Sequence, residues 1–113
     1  MVTSQVEIGK RLNGRRHFVD VVAEKNGTRR LISLKWQQTG GTAEQKVPFE
    51  VISLTEFVLS GEYAKAYVVL GGDGWTLRDF YVSRGLDAHL LHGGVVEVLT
   101  LEAFVSKANR GEL

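Results

Sequence analysis

The sequence predicts one α/β domain over residues 1–113, a mixed β-sheet flanked by helices, with an antiparallel three-stranded start followed by α-β-α-β-α. Three observations predict it. Two Asn-Gly pairs, Asn13-Gly14 and Asn26-Gly27, separate β-forming runs in the first third. Such pairs favour the type I′ hairpin turn, in which both central residues need positive φ. Val47, Val51, Leu54 and Val58 then recur at helical spacing. Ala66 to Leu70 is a continuous apolar run that fits a strand covered on both faces.

The first three strands are placed at about residues 6–12, 16–23 and 29–36. A short helix is the alternative for the first, and the register below would then lapse. Two-residue loops pair Leu12 with Arg15 and Lys25 with Thr28, which sets Glu7 opposite Asp20 and Asp20 opposite Ser33. These three form one transverse row, flanked by Phe18, Val22 and Leu31. Lys35, two residues beyond Ser33, shares that face and lies diagonal to Asp20. Val19, Val21, Ile32, Leu34 and Trp36 fall on the other face as an apolar surface.

After a loop through Gly40-Gly41, Thr42 and Gln45 have the spacing of a capping box. The helix that follows carries Glu50, Ser53, Glu56 and Ser60 on a side other than its apolar stripe. Pro48 kinks it near its start or marks a second start, and Gly61 ends it. Gly71-Gly72-Asp73-Gly74 reads as a turn, because it lacks the Gly-Lys-Ser/Thr ending of a phosphate loop. A helix over residues 76–84 closes at Gly85, a strand follows at 95–99, and Thr100 caps a last helix through about Ala108. Trp75 and Tyr81 read as packing residues. His89 and His92 lack further ligands for zinc.

Composition narrows the function. There is no cysteine, so disulfides and thiolate metal sites are excluded. No stretch is apolar and long enough to span a bilayer, the first residues do not resemble a signal peptide, and a cytoplasmic location is expected. The net charge of +1 hides an asymmetry: residues 1–46 carry +5 and residues 47–113 carry −4. Arg11, Arg15, Arg16, Arg29 and Arg30 cluster at the hairpins as candidate phosphate contacts, or as ordinary solvated strand ends.

Carboxylates and an ammonium meeting at a strand end suit phosphodiester hydrolysis. That reaction needs a hard cation on oxygen ligands, an activated water, and neutralisation of charge on the phosphate. Asp20 and Lys35, with Glu7 and Glu44, are the candidates. The bland readings are an Asp20–Lys35 ion pair, a first-turn helix acid at Glu44, a solvated Glu7, and a loop amide at Gln37.

Asp20, then a hairpin, then a strand ending in Ser33-Leu34-Lys35 resembles the core of the PD-(D/E)xK nuclease superfamily, which includes restriction endonucleases and Holliday junction resolvases. The strand and helix order of residues 6–70 is similar to its common core. Ser33 stands where the pattern has an acid. Some members move that acid to the following helix, a position Glu44 matches, and Glu7 matches an N-terminal glutamate of resolvase-like members. The resemblance implies a restriction-endonuclease-like fold and a Mg²⁺-dependent DNA endonuclease, with Mn²⁺ as substitute, working as a homodimer or higher oligomer. It implies Asp20, Glu44, Glu7 and the Leu34 carbonyl as metal ligands. Lys35 would orient water or neutralise phosphate, and Gln37 would contact substrate or water. A nucleic-acid-binding module of the same fold without catalysis is the alternative, supported by Ser33. A structural partner in a larger complex is a third reading.

Overall fold

Asn26 and Gly27 both adopt positive φ, 55° and 78°, as a type I′ turn demands. They join β2 (Arg16–Lys25) to β3 (Thr28–Trp36), with Lys25 paired to Thr28 as predicted. The structure is a computed structural model that describes residues 2–10, 14–39 and 43–113. Across these residues β1 (Val2–Lys10), β2, β3, β4 (Lys65–Gly71) and β5 (Val96–Thr100) lie side by side in chain order in one sheet. The first three strands are antiparallel, while β4 runs parallel to β3 and β5 parallel to β4. Parallel neighbours require crossovers. Helix α1 (Ala43–Leu59) supplies the first, and α2 (Arg78–Val82) with a 3-10 turn (Gly85–His89) supplies the second.

The register of β1 differs from the predicted one. Lys10 pairs with Arg16 and Gly9 with His17, and a bulge then sets Glu7 opposite Phe18 and Val6 opposite Val19. The strand is one residue off the predicted register already at Lys10, and the extra residue of the bulge adds a second. Glu7 is therefore not opposite Asp20. Val6 and Ile8 pack on the main core, so Glu7 between them points to the other face. The predicted Leu12–Arg15 turn and the Thr42 cap involve residues outside those described.

The two faces of the sheet carry separate cores. Under α1 and α2, Val19, Val22, Leu31, Val47, Val51, Leu54, Val68, Tyr81 and Val98 are buried together. On the other face Ile32, Tyr67 and Val69 pack with Val21, Leu99, Leu101 and Phe104, covered by α3 (Leu101–Asn109). Thr100 caps α3 as predicted, its hydroxyl accepting the Ala103 N–H at 3.1 Å. Val68 and Val69 are buried on opposite faces, as the apolar run of β4 requires.

Side-chain alternation in β2 breaks at Asp20: Val19 and Val22 face the same core, whereas strict alternation separates them. Val19 accordingly joins the face of Ser33 instead of the opposite one, and Phe18 is exposed. Leu34 and Trp36 also remain exposed, because α3 covers Ile32 but not the end of β3. The helix predicted over 76–84 is only the short α2. Arg84 turns left-handed (φ 67°), and a separate 3-10 turn begins at Gly85.

Pro48 lies inside α1. It has no N–H for the Glu44 carbonyl one turn earlier, and an unanswered carbonyl is costly when buried. The Tyr81 hydroxyl donates to that carbonyl at 2.8 Å, so a residue of α2 completes α1. Burial raises the Tyr81 pKa, which keeps the hydroxyl a donor at neutral pH.

Candidate active site

The strongest concentration of buried polar groups lies where α1 crosses the ends of β2 and β3. Glu50 is 1% exposed and faces the sheet. Its Oε2 accepts from the Ser33 hydroxyl at 2.6 Å and lies 3.3 Å from Lys35 Nζ. Its Oε1 lies 2.8 Å from His17 Nε2. Three side chains from two strands thus converge on one helical carboxylate. Burial alone would raise its pKa, but donation from His17 and Ser33 and the Lys35 charge outweigh that and hold it well below the usual carboxylate range.

Sequence reading placed Glu50 on the wrong side of its helix. The missed signal was spacing: Val47, Glu50, Val51 and Leu54 follow the i, i+3, i+4, i+7 pattern of a buried stripe. A charged residue inside such a stripe needs partners.

Asp20 sits where the β2–β3 ladder stops. Val21 and Ile32 are its last pair, and beyond them Asp20 Oδ2 accepts the Leu34 N–H at 2.6 Å. A side-chain oxygen thus replaces a ladder carbonyl. The Leu34 carbonyl points to the same edge as its N–H, into the gap where the ladder has ended. Asp20 and Glu50 are therefore tied to consecutive residues, Leu34 and Ser33. Lys35 makes its ion pair with Glu50.

Glu44 is elsewhere. Its carboxylate accepts the backbone N–H groups of Thr76 and Leu77, and the Thr76 hydroxyl donates to it at 2.7 Å. These bonds, the Thr76 hydroxyl first, hold its pKa below the ordinary value despite burial. Gln37, also buried, donates to the Gly74 carbonyl at 2.7 Å and to Glu44 at 3.3 Å. The two side chains fasten the loop after β4 to α1.

Glu7 meets Arg16 at 2.9 Å on the exposed side of the sheet, and the Arg16 guanidinium lies over the Phe18 ring at 5.0 Å. Arg29 covers the Tyr63 ring at 4.7 Å, and Arg30 donates to the Thr28 hydroxyl at 2.8 Å. Arg15 is exposed, and Arg11 lies outside the described residues. The basic residues therefore spread over both ends of the hairpins.

An open pocket beside Glu50 is lined by Lys35, Gln45, Lys46 and Phe49. Among the described residues no three His, Asp or Glu side chains gather as a metal cage, and no helix is long and apolar enough to cross a membrane. In comparisons with known proteins, the family model described as PD-(D/E)XK nuclease superfamily domain matches residues 1–112. No curated protein and no solved structure gives a match.

Proposed function

The chain belongs to the PD-(D/E)XK nuclease superfamily, and from that premise we propose that it is a metal-dependent endonuclease acting on DNA through Asp20, Lys35 and Glu50. The observation that carries the reading is the buried Glu50 carboxylate bonded to Ser33 and Lys35. Ser33 occupies the position at which the superfamily pattern has an acid, and Glu50 brings a carboxylate to that place from α1. Glu50 takes the role expected of Glu44, because Glu50 is the helix acid that meets Ser33 and Lys35, whereas Glu44 is bonded to Thr76 and Leu77.

The residues suit a hard divalent cation such as Mg²⁺. The donors are all oxygen: the Glu50 carboxylate, the Leu34 carbonyl at the open ladder edge, and Asp20. Asp20 Oδ1 has no partner among the described residues. When bound by these residues, such a cation would supply Lewis acidity toward the phosphate and its nucleophile. The chain's own residues do the rest. Asp20, fixed by the Leu34 amide, and Glu50, fixed by three donors, are arranged before substrate arrives. Lys35, with its side chain 20% exposed, presents an ammonium between the buried carboxylate and the pocket. There it neutralises charge on the phosphate or orients the attacking water. Lys46, exposed at the pocket rim, offers a second phosphate contact.

Each chain would carry one such site, so cutting both strands of a duplex calls for two copies related by a two-fold axis. A supercoiled-plasmid nicking assay tests the reading. Nicking is expected with Mg²⁺ or Mn²⁺, is lost with EDTA, and is lost in Glu50→Gln. Wild-type protein that leaves plasmid, flap and junction DNA intact with either metal, yet binds them, makes the chain a binding module instead.

A further inference from the structure

We infer that His17 is a positioning residue, holding the Glu50 carboxylate in the orientation that faces Ser33 and Lys35. The inference rests on the proposed role of Glu50 and extends it to a group that cannot reach substrate: His17 is 0% exposed. Its neighbours in sequence, Arg16 and Phe18, are exposed, so β2 turns an imidazole inward where an apolar residue would pack. Burying such a ring costs free energy unless it is partnered. Its Nε2 lies 2.8 Å from Glu50 Oε1, an ion-pair distance off the line of a well-formed hydrogen bond, and Nδ1 has no hydrogen-bond partner among the described residues. Glu50 is thus the polar side chain that the ring meets, and Nε2 is the nitrogen that faces it.

The geometry explains what this contact adds. Ser33 and Lys35 both engage Oε2. A carboxylate held by one oxygen still swings, because its terminal torsion is broad. His17 meets the other oxygen, so the carboxylate is engaged on both sides. The ring is itself braced edge-on by Phe57, with centroids 5.5 Å apart. Phe57 in turn reaches over Gly9, which pairs with His17 across the ladder, and a Cβ on Gly9 would come 2.7 Å from the Phe57 ring. The bulge in β1, with Gly9 at φ +145°, makes room for this stack. The order of contacts is Gly9, Phe57, His17, Glu50. Groups that orient metal-binding carboxylates in this way are worth about 10- to 100-fold in metal affinity or activity.

The test uses His17→Phe, which keeps the ring and removes the donor, and His17→Gln, which keeps an N–H donor. Urea unfolding of His17→Phe, Glu50→Gln and the double variant forms a cycle, and a coupling beyond experimental error is expected. Mn²⁺ affinity by calorimetry and single-turnover nicking are then compared with plasmid affinity. His17→Phe is expected to lose about 10- to 100-fold in Mn²⁺ affinity or nicking rate with plasmid Kd unchanged, and His17→Gln to recover most of that loss. A cycle without coupling overturns the inference. So does a His17→Phe protein that is less stable but binds Mn²⁺ and nicks like wild type, since the pair is then only structural. Wild type that neither binds Mn²⁺ nor nicks removes the nuclease reading. The cycle alone then decides whether His17 holds Glu50.

Discussion

Glu44 and Glu50 share helix α1, and both are held below the ordinary carboxylate pKa, but by different kinds of partner. Glu44, in the first turn, is answered by backbone amides and a hydroxyl of the loop after β4. Glu50, about a third of a turn away around the helix axis, is answered by side chains from two strands, one of them a lysine open to a pocket. Backbone partners close a loop and have no further use. Side-chain partners at a pocket edge form a polar group that a ligand can enter. The same residue type on the same helix thus makes two kinds of contact, decided by what lies opposite each position.

Substitution separates the two most sharply. Under the proposed function, Glu50→Gln lowers plasmid nicking by at least about a hundredfold, whereas Glu44→Gln leaves nicking within a few-fold and lowers the melting temperature. Equal losses of nicking in both variants would erase the distinction. Glu50→Ala also strands His17 and Lys35, and breaking a buried pair in this way costs about 3–5 kcal/mol, measurable by urea unfolding.

Acid titration comes next. A carboxylate whose folded pKa is depressed contributes stability that is full above its unfolded value of about 4.3 and is lost as pH falls below it. Wild type is therefore expected to lose stability steadily below about pH 4.3. Both Gln variants should flatten that acid limb, Glu50→Gln more than Glu44→Gln. Stability measured by denaturant at stepped pH checks the order.

Tyr81→Phe probes the loop side alone. It removes the donor that answers the Glu44 carbonyl left open by Pro48, for a loss of about 1–3 kcal/mol in unfolding free energy, with nicking retained. The smallest effect is expected at Glu7→Gln. That exposed carboxylate pairs only with Arg16 among the described residues, so melting temperature and nicking should both match wild type. A loss of metal-dependent nicking there would return Glu7 to the site.

What was legible in the sequence was local. Asn26-Gly27 needs only its own backbone to turn, Thr100 needs only the next three residues to cap, and the apolar run of β4 carries its burial in its composition. The helix after β3 was legible for the same reason. The register of β1 was not legible, because the Asn13-Gly14 signal fixes neither the pairing of Lys10 with Arg16 nor the bulge between Glu7 and Gly9.

The sequence by itself determined the order of strands and helices, the β2–β3 hairpin, and the arrival of an acid-bearing helix directly after Lys35. Only the tertiary structure decided which acid meets that lysine. A helix repeats every 3.6 residues, so Glu44 in its first turn and Glu50 near its middle face different neighbours. Which neighbour holds Ser33, Lys35 and His17 follows from how α1 lies across β2 and β3, and those contacts join residues distant in the chain. A buried carboxylate is kept charged by such partners, and no window of sequence contains them all.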